Sequence, residues 1–159
     1  MAIVQKVDKL HQAMAWRGEI PITSRYTAGV AGERFLREIK DHARILGTRC
    51  PACDLVYVPA TLFCERCFAE LDEWLEVSSQ GRVFTFTVLF RDLENKPLDP
   101  PMILAYVKLN GTNGGLVHYL DEIEPEQVCI GLEVEAVFKD ASERKGSILD
   151  IQYFRPVER

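Results

Sequence analysis

The residues best placed to do chemistry are four cysteines, Cys50-Pro51-Ala52-Cys53 and Cys64-Glu65-Arg66-Cys67, in a C-x2-C-x10-C-x2-C pattern. Each pair can bend around an ion as a knuckle, and two knuckles present four thiolates at the corners of a tetrahedron. Zinc tolerates that geometry and bonds thiolate sulfur at about 2.3 Å. Four protein ligands leave no open position for water, so the expected ion is structural and not hydrolytic. Its binding would contribute on the order of 10 kcal/mol to folding a module too small to stand on its own core.

The same spacing could hold a single iron and carry electrons. Colour separates the two, because a ferric-thiolate sample absorbs visible light and a zinc sample does not.

Other groups offer less. Cys129, in Gln127-Val128-Cys129-Ile130-Gly131, reads as a buried small hydrophobe, with no neighbouring base to make it a nucleophile. His11, His42 and His118 have no metal-ligand spacing and read as packed or solvated side chains. Asp121, Glu122 and Glu124 read as an acidic surface loop and not as acid/base groups. Gly29-Val30-Ala31-Gly32 precedes a helix and could turn backbone N–H groups toward a phosphate, with Arg25 and Arg34 close in sequence. Without a full P-loop, the plainer reading is a turn before a helix. There is no Ser/His/Asp or Cys/His set, which argues against a self-sufficient enzyme.

The elements around these residues follow from periodicity. Val4, Val7, Leu10 and Met14 recur at helical spacing, ended by Gly18 and Pro21. A second helix is expected from Ala31 to Leu46, with Phe35, Leu36, Ile39 and Ala43 as its apolar stripe and Gly47 as its stop. Such stripes must be buried, within this chain or against another protein. Leu55 to Pro59 is a short β-like run between the cysteine pairs, which suits a zinc ribbon. Residues 68–80 read as an acidic connection whose Trp74 packs between modules.

Beyond Gly81 the chain is strand-rich. Phe84, Phe86, Val88 and Phe90 alternate with Thr85 and Thr87 and are expected on one face. Met102 to Leu109 and Leu116 to Leu120 flank a turn, Asn110 to Gly115, rich in residues that accept positive φ. Leu132 to Lys139 and Ile148 to Phe154 complete five strands in 79 residues without a long helix. That count suits a small barrel, with the OB-fold expected and an SH3-like barrel the nearest competitor. The expected organisation is an N-terminal helical segment (1–47), a zinc ribbon and connection (48–80) and a five-stranded barrel (81–159).

Composition bounds the function. With 47% apolar and 27% charged residues the chain is an ordinary globular one, and no apolar run approaches the ~18 residues of a membrane helix. Met1 to Lys6 lacks the pattern of a secretory signal, and an odd five cysteines in paired spacings favour metal binding in a reducing compartment. The expected location is the cytoplasm. Charge is uneven: +4 over residues 1–49, −5 over 50–80 and −4 over 81–159. An acidic barrel is a poor partner for a phosphate backbone.

The order of these parts resembles a family of bacterial and archaeal proteins, formerly a domain of unknown function, that joins a rubredoxin-like zinc ribbon to an OB-fold. The stretches that carry the resemblance are Tyr26 to Gly29, Gly32 to Phe35, Leu46 to Cys53, Val58-Pro59 and Phe63 to Cys67, then Gly81 to Thr87, Pro100-Pro101 and Phe154 to Pro156. They span about residues 25–157. The resemblance implies a non-catalytic accessory subunit of a thiolase-fold acyl-CoA enzyme, such as a thiolase, a lipid-transfer-type aldolase or an acyltransferase. It implies docking on that enzyme as a hetero-oligomer, helping to form or shield the acyl-CoA site, with contacts to coenzyme A through the complex. The alternative is a nucleic-acid-binding module, in which Phe84, Phe86, Tyr106 and Tyr119 would stack with bases.

Overall fold

The structure is a computed structural model that describes residues 27–157. The helix expected over Val4 to Met14 and the candidate Arg25 lie outside those residues.

Helix α1 spans Gly29–His42 and buries Ala31, Phe35 and Ile39, spaced four apart as one face of a helix requires. It stops short of the expected Leu46, because Ala43 adopts the left-handed conformation at φ 53. The Ala43 N–H bonds to the Ile39 carbonyl at 3.1 Å, the 5→1 bond of an αL cap, and the Arg44 N–H bonds to the Glu38 carbonyl at 3.3 Å. Ile45 and Leu46 then enter strand β1 (Ile45–Cys50). Gly47 does not stop the helix but allows close strand packing, since a Cβ there would lie 2.8 Å from the Tyr57 carbonyl oxygen.

Strand β1 is the centre of a three-stranded antiparallel sheet, flanked by β2 (Leu55–Tyr57) and β3 (Glu73–Val77). Five of the residues expected as a connection therefore form β3. Trp74 of β3 meets helix α1, where the Arg34 guanidinium lies 4.2 Å from the centroid of its ring.

The barrel comprises β4 (Gln80–Arg91), β5 (Pro97–Leu109), β6 (Gly115–Leu120), β7 (Glu133–Phe138) and β8 (Ile151–Pro156). Their order is β4-β5-β6-β8-β7, with β7 pairing back onto β4 to close the ring. All contacts are antiparallel except β6 with β8. This is the five-stranded OB-fold. The alternation expected along β4 breaks at two register shifts, between Val83 and Thr85 and between Leu89 and Arg91. The first is a bulge that inserts Phe84 and turns the side chains around it, and at the second Phe90 alone faces four residues of β5, 98–101. Phe84 therefore does not share the face of Phe86 and Val88. It stands outside the barrel, 60% exposed and edge-on to Tyr106, with ring centroids 5.9 Å apart.

One apolar core joins these elements: Phe35 and Ile39 of α1, Ile45 of β1 and Val77 of β3 pack with Val83, Val107, Val134, Ile151 and Phe154 of the barrel. The stripe of α1 is thus buried within the chain. The β5–β6 turn also grips the ribbon. Asn113 donates its backbone N–H to the Val56 carbonyl, and its Oδ1 accepts the Val56 N–H, both at 2.9 Å. Arg144, in the β7–β8 connection, donates to the Ile39 carbonyl near the C-terminus of α1 at 3.0 Å, where a cation complements the helix dipole.

The β7–β8 connection itself turns around Asp150, which is buried. Its carboxylate accepts backbone N–H bonds from Lys145, Gly146 and Ser147 at 2.7–3.1 Å. Burial alone pushes this carboxyl up, but the three donors and the positive charge of Lys139 outweigh it, so the carboxyl sits below its ordinary value. A carboxyl lowered on folding stabilises fully above its unfolded pKa of about 3.9, and that stability is lost as pH falls through the folded value. Asp150→Asn is expected to cost roughly 2 kcal/mol at pH 7. The gap from the parent should narrow below about pH 4, and thermal melts across pH 3 to 7 check both expectations.

Candidate metal centre

Cys50 is delivered by the end of β1, and Cys53 by the turn that leads into β2. The second knuckle lies inside a short loop closed by a bridge between Phe63 and Glu70. Within it the Cys64 N–H donates to Ala69 at 2.9 Å and the Phe68 N–H to the Cys64 carbonyl at 2.8 Å. Fully buried Thr48 ties β1 to the approach of this loop. Its hydroxyl donates to the Thr61 carbonyl at 2.9 Å and accepts the Thr61 N–H at 3.0 Å.

The residue after each pair, Asp54 and Phe68, has a positive φ of 52° and 60°. Glycine would adopt that conformation without strain. Phe68 is also 78% exposed, so it returns little of the cost by packing. Phe68→Gly is accordingly expected to leave stability unchanged or raise it by up to about 1 kcal/mol, which a denaturant titration of the metal-loaded protein measures.

The two knuckles bring all four Sγ atoms within 4.8 Å of one another, with Cys50 and Cys67 3.6 Å apart. A tetrahedron with 2.3 Å metal–sulfur bonds has edges of about 3.8 Å, so the donor set fits zinc in spacing and in ligand type. The four are free thiols; Cys50 and Cys64 are buried, Cys53 is half-buried and Cys67 is exposed. Among the described residues, no other set of three or more His, Cys, Asp or Glu side chains converges in this way.

Electrostatics agree with a cation at the centre. The Cys53 thiol is pushed up to about 12, first by its contact with Cys67 and then by burial. Burial also raises Cys50. Cys64 moves the other way, first because the Tyr57 hydroxyl donates to its sulfur at 3.1 Å and further because the Arg66 and Cys67 backbone N–H groups point at it. A divalent ion would supply the charge that lets the remaining thiols deprotonate.

Tyr57 was not among the residues singled out from sequence, although its position in the β-run between the cysteine pairs places it beside the site. It packs with Cys50, Cys64 and Leu71 in a small apolar cluster of their own.

The remaining candidates are dispersed. Gly29 is the first residue of α1 at φ +69, Gly32 lies inside the helix and Arg34 is stacked on Trp74. Cys129 is exposed and not buried, because Val128 takes the inward position and Cys129 projects at the turn before β7. His42 is exposed at the end of α1. His118 is buried in the barrel. Its Nδ1 accepts the Tyr119 N–H, and its Nε2 lies 3.2 Å from the Ile148 carbonyl. Burial pushes its pKa down, so the ring is neutral, with the proton on Nε2. Asp121, Glu122 and Glu124 are exposed, as an acidic loop should be. No helix among the described residues is long and apolar enough to cross a membrane.

A four-cysteine ribbon packed on a closed five-stranded barrel defines a zinc-ribbon/OB-fold protein. Residues 37–72 match the family described as the ChsH2 rubredoxin-like zinc ribbon domain, and residues 74–139 match its C-terminal OB-fold domain. The chain is 30% identical over 128 residues to a DUF35 domain-containing scaffold protein of Methanocaldococcus jannaschii, covering 79% of this chain and 90% of the relative. It belongs to the DUF35 family. A crystal structure of a DUF35 family protein from Sulfolobus solfataricus is similar at a TM-score of 0.60 and 28% identity, covering 69% of this chain and 78% of the other. A chain described as Ltp2-ChsH2(DUF35) aldolase shares the fold at a TM-score of 0.56 and 24% identity, covering 78% and 93%.

Proposed function

We propose that this protein is a non-catalytic accessory subunit in which Cys50, Cys53, Cys64 and Cys67 hold a structural zinc ion. In this reading it docks on a thiolase-fold enzyme of acyl-CoA chemistry. The single observation that carries the proposal is the closed four-sulfur donor set, which can stabilise a fold but leaves no coordination position for a substrate. Reactivity then belongs to a companion chain, and this one contributes architecture.

Two further features favour docking. On the outer face of the barrel, Phe84, Tyr106, Val117 and Tyr119 lie on paired strands β4, β5 and β6, with Phe84 and Val117 at least 60% exposed. At the tip of the ribbon, Phe63 and Phe68 flank the second knuckle and are also exposed. Exposed apolar surface of this kind suits a protein partner. The archaeal relative carries the description of a scaffold protein, and the structural neighbour that of an aldolase. Coenzyme A would reach this chain only as part of the complex, with the N-terminal part of α1 as one place for contact.

Co-expression with a thiolase-fold enzyme encoded beside it tests the reading. Co-elution on gel filtration, zinc in the purified complex and acyl-CoA turnover that falls when this subunit is omitted are the expected results. Separate elution with full activity from the enzyme alone would overturn it. Binding of single-stranded nucleic acid at low salt would instead favour the nucleic-acid module, with the exposed aromatics as its stacking face.

A further inference from the structure

Among the described residues, only Tyr57 adds a side-chain hydrogen bond to the cysteine sulfurs. Its ring is buried with Cys50, Cys64 and Leu71, and its hydroxyl lies 3.1 Å from the Cys64 Sγ. When Cys64 is a thiolate, the phenol must be the donor and the sulfur the acceptor. Four thiolates around a divalent cation leave a formal charge of about −2, which a partly buried site must offset with nearby donors. The nearest arginine on β1 is already engaged: Arg49 pairs with Asp54 and Glu73. The Arg66 and Cys67 backbone N–H groups and the Tyr57 hydroxyl are what remain to serve Cys64.

Tyr57 also belongs to β2, a strand of three residues. One side of β2 pairs with β1, Tyr57 lying opposite Thr48. Val56, its neighbour, exchanges both backbone hydrogen bonds with Asn113 of the barrel. Tyr57, Asn113, Arg66 and Tyr106 all line the cleft between ribbon and barrel, about 500 Å³ in volume. The metal-facing hydroxyl and the barrel-facing amides are therefore carried by adjacent residues of one short strand.

We infer that Tyr57 is an outer hydrogen-bond donor to the metal-bound Cys64 thiolate and that, through β2, it makes metal affinity and the ribbon–barrel contact at Asn113 interdependent. This rests on the zinc reading given above. Tyr57 is a positioning residue here: it acts on Cys64 and does not itself touch the ion. Groups in this outer position typically change metal affinity by 10- to 100-fold when removed. Linkage requires the reverse effect too, so loosening the contact at Asn113 must weaken the metal.

The test uses the full-length, zinc-loaded protein and its Tyr57→Phe and Asn113→Ala variants. Competition with a chromophoric chelator should show zinc binding weakened about 10-fold in Tyr57→Phe and weakened to a lesser, measurable degree in Asn113→Ala. The thiolate-to-cobalt absorption band of cobalt-substituted protein should move in Tyr57→Phe. Amide exchange at Val56 and Asn113 should quicken in zinc-loaded Tyr57→Phe while that of Val134 is unchanged. If Tyr57→Phe does not fold, the labelled Tyr57 ring carbon bearing the hydroxyl is followed in the parent protein, and its resonance must move when zinc is added. Unaltered zinc affinity and cobalt spectrum in Tyr57→Phe, an immobile Tyr57 resonance, or undiminished affinity in Asn113→Ala would each overturn the inference. Parent protein that binds no zinc at all would instead bring down the underlying reading.

Discussion

Cys64→Ser protein is expected to purify without zinc and with the distal ribbon, residues 51–71, unfolded. Cys64 is fully buried, occupies one corner of the four-sulfur set and receives the Tyr57 hydroxyl. A serine oxygen has a shorter reach and is a poor zinc ligand at neutral pH, because its proton is not released as a thiol's is. Binding free energy of structural zinc is folding free energy, on the order of 10 kcal/mol. The apolar cluster left behind is only Cys50, Tyr57 and Leu71 with the substituted residue, too little to replace it. The damage should stay local. Phe35, Ile39, Ile45 and Val77 belong to the core shared with the barrel, so α1, the start of β1 and the barrel keep their burial. Elemental analysis should show less than one-tenth of the parent's zinc, and limited proteolysis should cut within 51–71 while the barrel survives. Strong chelation of the parent should reproduce both. A metal-free variant with a protected ribbon would contradict the account.

Gly114→Ala is expected to give the second largest effect, about 3 kcal/mol of stability and a fall of roughly 10 °C in Tm. A Cβ at this position would sit 2.3 Å from the Val58 carbonyl oxygen and 3.0 Å from the Val58 nitrogen. Both are backbone atoms held between the ribbon and the barrel, so no side chain can swing aside. The turn must retreat, and its retreat breaks the paired bonds between Asn113 and Val56. Gly111→Ala in the same turn is the control. Unlike Gly114 it has a positive φ, 75°, but nothing within 4 Å of a new Cβ, so it should cost only the backbone strain of about 1 kcal/mol. Calorimetry of the zinc-loaded proteins compares them. A cost at Gly114 no larger than that at Gly111 would show that the contact with Val58 yields without breaking the turn.

The fold and the cysteine cluster were legible in the sequence to different degrees, for physical reasons. Four cysteines at fixed spacing can converge in few ways, so their geometry is local and readable. The five barrel strands announce themselves by alternation and by turns such as Asn110 to Gly115. What escaped depends on contacts remote in sequence. Ala43 takes a left-handed conformation that alanine rarely adopts, and it ends α1 where no glycine marks the stop. The charge of Glu73 and Glu76 disguises β3, which forms because β1 offers it an edge. The bulge at Phe84 inverts an apparently regular pattern and sends an aromatic ring outward. Cys129 follows its residue type only until the turn before β7 assigns the inward place to Val128. Tyr57 becomes part of the site through a hydrogen bond that no spacing rule encodes.

The barrel is a ring closed with unequal strength. Strands β4 and β5 are stitched along nine register pairs, whereas β6 meets β8 through the one pair Leu120 and Phe154, reinforced by the Asp121 N–H to Phe154 carbonyl bond at 2.9 Å. A ring with one weak clasp breathes there first. The Asp121 amide should therefore trade its proton for deuterium well before those of Ala105 or Val107, long before the molecule unfolds as a whole. Such breathing would briefly bare Ile103 and Leu120 at the end of β6 opposite the turn that touches the ribbon, leaving the metal-bearing half of the molecule undisturbed.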